Sequence, residues 1–236
     1  MTRSMRAAFG ALLLIALSWP PFAHAEWTPA GRLPLRVFTD RDGLPQNAIT
    51  SIVFDREGVL WVGTKDGAAH YNGRTWTTVP MPRGCPSNWI NAILVGSDGA
   101  LWFGTRGGGV VRLSRGAWTV YSTAEGVPSS EIMSLFESSV VTGAPVVLVG
   151  TADGLARFDG ERFQEVSLGA EARSNRVYSM FEEKVGDVVT LWVGTRDGIL
   201  RLRTGAWTYF SLSPDGAPSV DPVRGFAITS ALDGKR

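Results

Sequence analysis

The sequence predicts an all-β fold, a β-propeller built from four-stranded antiparallel blades. Three observations carry that expectation. Leu60-Trp61-Val62-Gly63-Thr64, Leu101-Trp102-Phe103-Gly104-Thr105, Val147-Leu148-Val149-Gly150-Thr151 and Leu191-Trp192-Val193-Gly194-Thr195 repeat one pattern, their glycines 41, 46 and 44 residues apart. That is the period of a four-stranded blade, ~40–45 residues. Short apolar runs alternate with Asn-Gly and Asp-Gly pairs, the strongest local hairpin signal because tight hairpin turns need positive φ. Finally, 28 glycines and 9 tryptophans in 236 residues, with no long helical periodicity, favour many short strands.

Each repeat presents its parts in one order. An inner strand comes first: Ile49 to Phe54, Ile90 to Val95, Ile132 to Phe136 and Val177 to Phe181. A turn such as Asp55-Arg56-Glu57-Gly58 leads to the Leu-Trp-Val-Gly-Thr strand. Asp66-Gly67, Gly107-Gly108, Asp153-Gly154 and Asp197-Gly198 then turn the chain into a third strand. Asn72-Gly73, Arg115-Gly116, Asp159-Gly160 and Thr204-Gly205 lead to an outer strand: Thr75 to Val79, Trp118 to Tyr121, Phe163 to Val166 and Trp207 to Phe210. One such meander buries too little alone, so blades stack face to face and their middle strands read as nearly continuous apolar runs. The recurring tryptophan suits the space between blades. Repeat three has Leu148 instead, which predicts weaker packing there.

The blades are placed at about 47–79, 88–122, 130–167 and 175–211. Leu35 to Thr39 reads as an outer strand, and 224–236 as the start of a further blade with an inner strand from Phe226. The expected architecture is therefore an incomplete propeller, the front part of a larger protein; the alternative is a self-contained open or five-bladed ring.

The N-terminus reads as a secretory signal. Arg3 and Arg6 precede the apolar run Ala7 to Leu17, and Ala23-His24-Ala25 is a cleavage pattern, which places 1–25 outside the mature protein. The run is shorter than the ~20 residues a membrane-spanning helix needs. A net charge of +1 gives no reason to expect nucleic acid as a partner. Cys85, the one cysteine, allows no internal disulfide and reads as a small core filler. No cofactor or metal is expected.

The run Asp42-Gly43-Leu44-Pro45-Gln46-Asn47-Ala48-Ile49-Thr50-Ser51-Ile52, followed by Asp55 to Gly58 and Leu60-Trp61-Val62-Gly63-Thr64-Lys65-Asp66-Gly67, resembles the two-component regulator propeller repeat. The resemblance extends over residues ~35–236. It implies the periplasmic sensory part of a bacterial signalling protein, some relatives sensing saccharides. In such proteins the propeller continues into a β-sandwich, a membrane helix and a kinase or cyclase, none of which occurs in this sequence.

Candidate site residues follow from register. Ala48, Trp89, Glu131, Arg176 and Arg224 are placed before the inner strands, and Lys65, Arg106 and Arg196 in the turns after the Gly-Thr strands. Asn47, Asn88 and Asn175 share a third register. All fall at one end of the blades, which is mainly basic; the other end carries Asp55, Glu57, Asp98, Asp187 and Asp233. A mouth lined by Trp89, Asn88, Glu131, Arg176, Arg224, Lys65, Arg106 and Arg196 suits an anionic or saccharide ligand, held by forked hydrogen bonds and ring stacking. The plainer alternatives are cations that keep hairpins soluble and asparagines that form turns. Other functional classes are a protein-binding or self-associating platform and a propeller lyase or hydrolase. Against catalysis, His70 falls in a third strand, no nucleophile-elbow or zinc-protease motif occurs, and only a carboxylate pair such as Glu131 with Glu125 offers acid–base chemistry.

Overall fold

The computed structural model describes residues 35–170, 172–212 and 222–226. Contacts divide the chain at Val37–Phe38, and the account below concerns the unit that begins at Phe38. Among the described residues 16 strands form four four-stranded antiparallel sheets, each in sequential order, the blades of an open, incomplete propeller. Blade 1 comprises β1 (Ile49–Phe54), β2 (Leu60–Thr64), β3 (Gly67–Tyr71) and β4 (Trp76–Val79). Blade 2 comprises β5 (Ile90–Val95), β6 (Leu101–Thr105), β7 (Val110–Ser114) and β8 (Ala117–Tyr121). Blade 3 comprises β9 (Ile132–Ser138), β10 (Val146–Thr151), β11 (Gly154–Phe158) and β12 (Phe163–Val166). Blade 4 comprises β13 (Val177–Val185), β14 (Val188–Thr195), β15 (Gly198–Arg203) and β16 (Ala206–Ser211).

Turn chemistry sets the meander. Arg115-Gly116 and Thr204-Gly205 have both residues at positive φ (50° and 79°, 49° and 79°), as a mirror-image two-residue hairpin requires. In every blade the threonine that ends the second strand locks the next turn. Thr64, Thr105, Thr151 and Thr195 donate through Oγ1 to the carbonyls of Gly67, Gly109, Gly154 and Gly198 at 2.8–3.0 Å. The same hydroxyls accept from the N–H groups of Asp66, Gly108, Asp153 and Asp197.

The preceding glycine brings blades together. A Cβ on Gly63 would lie 2.7 Å from Ile90 Cγ2, one on Gly104 2.5 Å from Ile132 Cγ2, and one on Gly150 2.6 Å from Val177 Cγ1. Each glycine thus seats the first residue of the next blade's inner strand. Gly194 continues the series: its Cβ would meet the Val223 carbonyl at 2.6 Å, and Val223 N–H donates to Thr195 O at 3.1 Å. The core lies between blades, in three clusters. One joins Trp61 and Ala68 to Ile90 and Phe103, another Trp102 and Tyr121 to Ile132 and Phe163, and the third Leu148 and Leu155 to Val177 and Leu200. Full burial of each such aliphatic side chain contributes about 1.5–3 kcal/mol.

Two sequence expectations are corrected here. Leu35 to Thr39 forms no strand. Phe38 instead packs edge-on against Trp76 and beside Tyr71, at ring distances of 5.6 and 5.2 Å, while Thr39 caps a short 3-10 turn, Asp40–Asp42. Phe38 and Leu44 cover the side of blade 1 around Val62 and Ala69, a role that needs no strand pairing. Leu148, in turn, is fully buried, so the shorter side chain is absorbed without leaving blade 3 exposed. The N-terminal signal, and the inner strand expected beyond Phe226, lie outside the described residues.

Candidate functional site

The site is built by a repeated irregularity. The pairing of β1 with β2 shifts between Ile49 and Ser51, that of β5 with β6 between Ile90 and Ala92, and that of β13 with β14 between Val177 and Ser179. In blade 3, Ile132 and Ser134 flank the equivalent shift. Each bulge leaves one extra residue whose side chain is re-aimed out of the alternating pattern. These residues are Thr50, Asn91, Met133 and Tyr178, and all four line one cleft of ≈ 540 Å³. Arg224 lines it too, because it follows Val223 as Tyr178 follows Val177. Arg106, Glu131 and Arg176 complete the wall.

The cleft therefore gathers four of the eight residues expected from sequence: Arg106, Glu131, Arg176 and Arg224. Arg224 enters from the bulge register, two positions later than the Glu131 and Arg176 register assigned to it above. Trp89 lies beside the cleft, with the Arg106 guanidinium 4.5 Å and Lys65 Nζ 4.9 Å from its ring centroid. Asn88 is a turn residue; its side-chain oxygen accepts Met81 N–H at 3.2 Å. Asn47 is used similarly, accepting Asp40 N–H at 2.7 Å. Arg196 is exposed and does not line the cleft.

Electrostatics separate this cleft from its surroundings. Three arginines face one carboxylate. Glu131 Oε1 lies 3.6 Å from Arg106 Nε, and its Oε2 3.9 Å from Arg176 Nη2, distances for ion pairing rather than hydrogen bonding. Arg224 stacks over the Tyr178 ring at 5.1 Å. Among the described residues, none of the three guanidinium groups donates a hydrogen bond. Two are held by aromatic faces, so their planar forks are oriented yet unspent.

Four residues of the lining were not singled out from sequence. The signal for them was present as a triplet at the start of each inner strand: a β-branched residue, a variable one, then a small one. Ile49-Thr50-Ser51, Ile90-Asn91-Ala92, Ile132-Met133-Ser134, Val177-Tyr178-Ser179 and Val223-Arg224-Gly225 all fit it. The small residue packs on the neighbouring blade: Ser51 Oγ accepts Ile93 N–H and Ser179 Oγ donates to Val223 O. The variable residue is the one released into the cleft.

The far end of the blades holds a second cleft of ≈ 490 Å³, lined by Trp102, Arg112, Phe158 and Asp159 among others. Its charges are already engaged. Arg112 Nη2 lies 2.6 Å from Asp98 Oδ2, and Asp98 Oδ1 accepts Ala100 N–H. Partial burial alone would raise the Asp98 carboxyl, but the Ala100 N–H and Arg112 outweigh it and hold it below its ordinary range. Glu125 is not paired with Glu131 for acid–base work. It closes a capping box, accepting Ser122 N–H and Oγ–H at 2.7 Å, and these bonds lower its pKa. His70 lies in β3 with its ring 4.9 Å from Trp61. Cys85 Sγ donates to Ser87 O at 3.2 Å. Among the described residues no cluster of His, Cys, Asp and Glu is placed to hold a metal, and no helix is long and apolar enough to cross a membrane.

Blade repeats stacked through glycine contacts, with bulge residues collected in one cleft, define a β-propeller. Residues 43–66 and 86–107 match the two-component regulator propeller. No curated protein matches the chain in sequence. Its fold is similar to the extracellular domain of BT3049 from B. thetaiotaomicron, described as a hybrid two-component system. The TM-score is 0.63 and the identity 18%, over 75% of this chain and 26% of that one. PorZ, a surface component of the type-IX secretion system of Porphyromonas gingivalis, gives a TM-score of 0.59 at 15% identity, over 84% and 32% of the two chains. Virginiamycin B lyase from Staphylococcus aureus gives 0.54 at 16% identity, over 72% and 57%. The chain thus spans about a quarter of the BT3049 domain.

Proposed function

We propose that this chain is the extracytoplasmic, ligand-binding propeller region of a bacterial signalling protein, without catalytic activity of its own. The N-terminal signal pattern supports export, and the family of the repeats supports signalling. The ligand is a small anionic or saccharide molecule held in the cleft of Thr50, Asn91, Met133 and Tyr178. One observation carries this reading: Arg106, Arg176 and Arg224 converge there without donating a hydrogen bond. Placing unspent cations together opposes stability, since like charges repel, so a binding role accounts for them better than a folding role. Glu125 is spent in a cap and His70 lies against Trp61, so neither of these candidates for acid–base work lines the cleft.

Isothermal titration of the purified chain with acidic and neutral oligosaccharides tests this. Binding is expected to weaken at least tenfold in Arg176→Ala and in Arg224→Ala; equal affinity in wild type and both variants removes these arginines from the site.

Self-association is a second reading, favoured by one surface. Ile52 and Phe54 of blade 1 are 62% and 65% exposed, whereas Ile93, the counterpart of Ile52 in blade 2, is 7% exposed. A second copy of the chain would cover this face. Sedimentation that shows a dimer, dissociated by Ile52→Ser with Phe54→Ser, supports it; a wild-type monomer at high concentration removes it.

A further inference from the structure

Among the described residues Glu131 is the one acidic residue that lines the cleft, and it stands between two of its arginines. Its backbone is fixed by three contacts. Glu131 pairs with Arg106 in an isolated bridge, its carbonyl accepts Ala152 N–H at 3.0 Å, and its N–H donates to Ser129 Oγ at 3.2 Å. The side chain is partly exposed, at 31%. From this anchor its carboxylate approaches Arg106 and Arg176 only to 3.6 and 3.9 Å. A carboxylate free to position itself would form a fork at about 2.7–2.9 Å on a guanidinium. Glu131 therefore gives each arginine charge compensation without hydrogen bonds.

We propose that Glu131 is a tethered substitute for the carboxylate of the ligand, and that the ligand is a sugar acid. This rests on the ligand-binding reading above. A carboxylate supplied by the ligand satisfies the forks that Glu131 leaves open, while the Thr50 hydroxyl, which donates to Ile90 O at 2.6 Å, can still accept from a ring hydroxyl, and the Asn91 amide, which donates one N–H to Ile132 O at 2.8 Å, keeps its oxygen and second N–H. Glu131 competes with that carboxylate and repels it. It thereby sets the affinity for acids without touching the affinity for neutral sugars, and makes the site selective for ligands that bring hydrogen-bonding geometry as well as charge.

The test compares wild type and Glu131→Gln by calorimetric titration with galacturonate and with galactose, at low and high salt. Glutamine keeps the size and removes the charge. Galacturonate is expected to bind about 3- to 10-fold tighter to the variant, the gain shrinking at high salt. Galactose affinity is expected to be equal in the two proteins. A purely structural role for Glu131 would move both sugars together and lower the melting temperature. If wild type binds galacturonate and the variant binds it equally or more weakly, the substitute role is wrong and the cleft reading survives. If neither protein binds galacturonate, glucuronate or sulfate at tens of millimolar, the cleft is no anion site and both readings fail.

Discussion

The two ends of the blades use charge in opposite ways. At the far end, acids are tied to the backbone and to tryptophans. Asp55 accepts Val59 N–H at 2.7 Å and Trp61 Nε1–H at 2.9 Å, Glu183 accepts Trp192 Nε1–H at 3.1 Å, and Asp159 accepts Arg162 and Glu161 N–H. Two arginines there are engaged as well: Arg112 with Asp98 and Arg157 with Gln164. At the cleft end, Arg106, Arg176 and Arg224 have only a loosely placed carboxylate and two aromatic faces. Both ends hold their turns with polar groups, but only the cleft end gathers guanidinium groups that donate no hydrogen bond. The contrast predicts that substitutions at the far end change stability, and substitutions at the cleft end change binding.

The largest effect is expected where one blade is seated on the next. Gly104→Val drives a side chain into Ile132, 2.5 Å from where its Cβ would lie. A loss of about 3 kcal/mol or more in denaturant unfolding is expected, since a packed core resists added volume. Next comes Asp55→Ala, which strips an acceptor from both Val59 N–H and the buried Trp61 ring. It is expected to cost about 1–3 kcal/mol while leaving ligand affinity unchanged. The mirror experiment is Arg106→Ala with Arg176→Ala. Stability there is expected to stay within about 0.5 kcal/mol, because only solvent-accessible ion pairs are lost, while anion affinity falls at least tenfold. An equal loss of stability in the two experiments would erase the distinction between the ends.

The smallest effect is in acid. The folded pKa of Asp98 is depressed, so its contribution is present above the ordinary carboxylate value of about 3.9 and is lost as pH falls through the lower folded value. Its side chain is 51% exposed, so screening keeps this below about 1 kcal/mol. Melting curves of wild type and Asp98→Asn should converge as pH drops below that window.

The blades were legible because their determinants are local. Glycine turns and the recurring Gly-Thr strand fix hairpins within a few residues of each signal. The cleft was half legible. Turn and strand-entry positions pointed to Arg106, Glu131 and Arg176 because these need only a correct strand count. The bulges were not foreseen, since a one-residue shift flips every later side chain and is decided by contact with the next blade. That is why sequence alone does not reach Thr50, Asn91, Met133 and Tyr178, and why it aligns Arg224 two positions early. Asn88 takes the turn-forming alternative, its amide oxygen accepting Met81 N–H. Leu35 to Thr39 resembles an outer strand in sequence, but Phe38 is used as a cover for blade 1.

Arginine side-chain resonances report both ends of the blades in one experiment. The Nε–Hε signals of Arg106, Arg176 and Arg224 should shift saturably on titration with galacturonate, while those of Arg112 and Arg157 stay fixed. Saturable shifts confined to Arg112 and Arg157, or none at any of the five, would contradict the assignment of binding to the cleft.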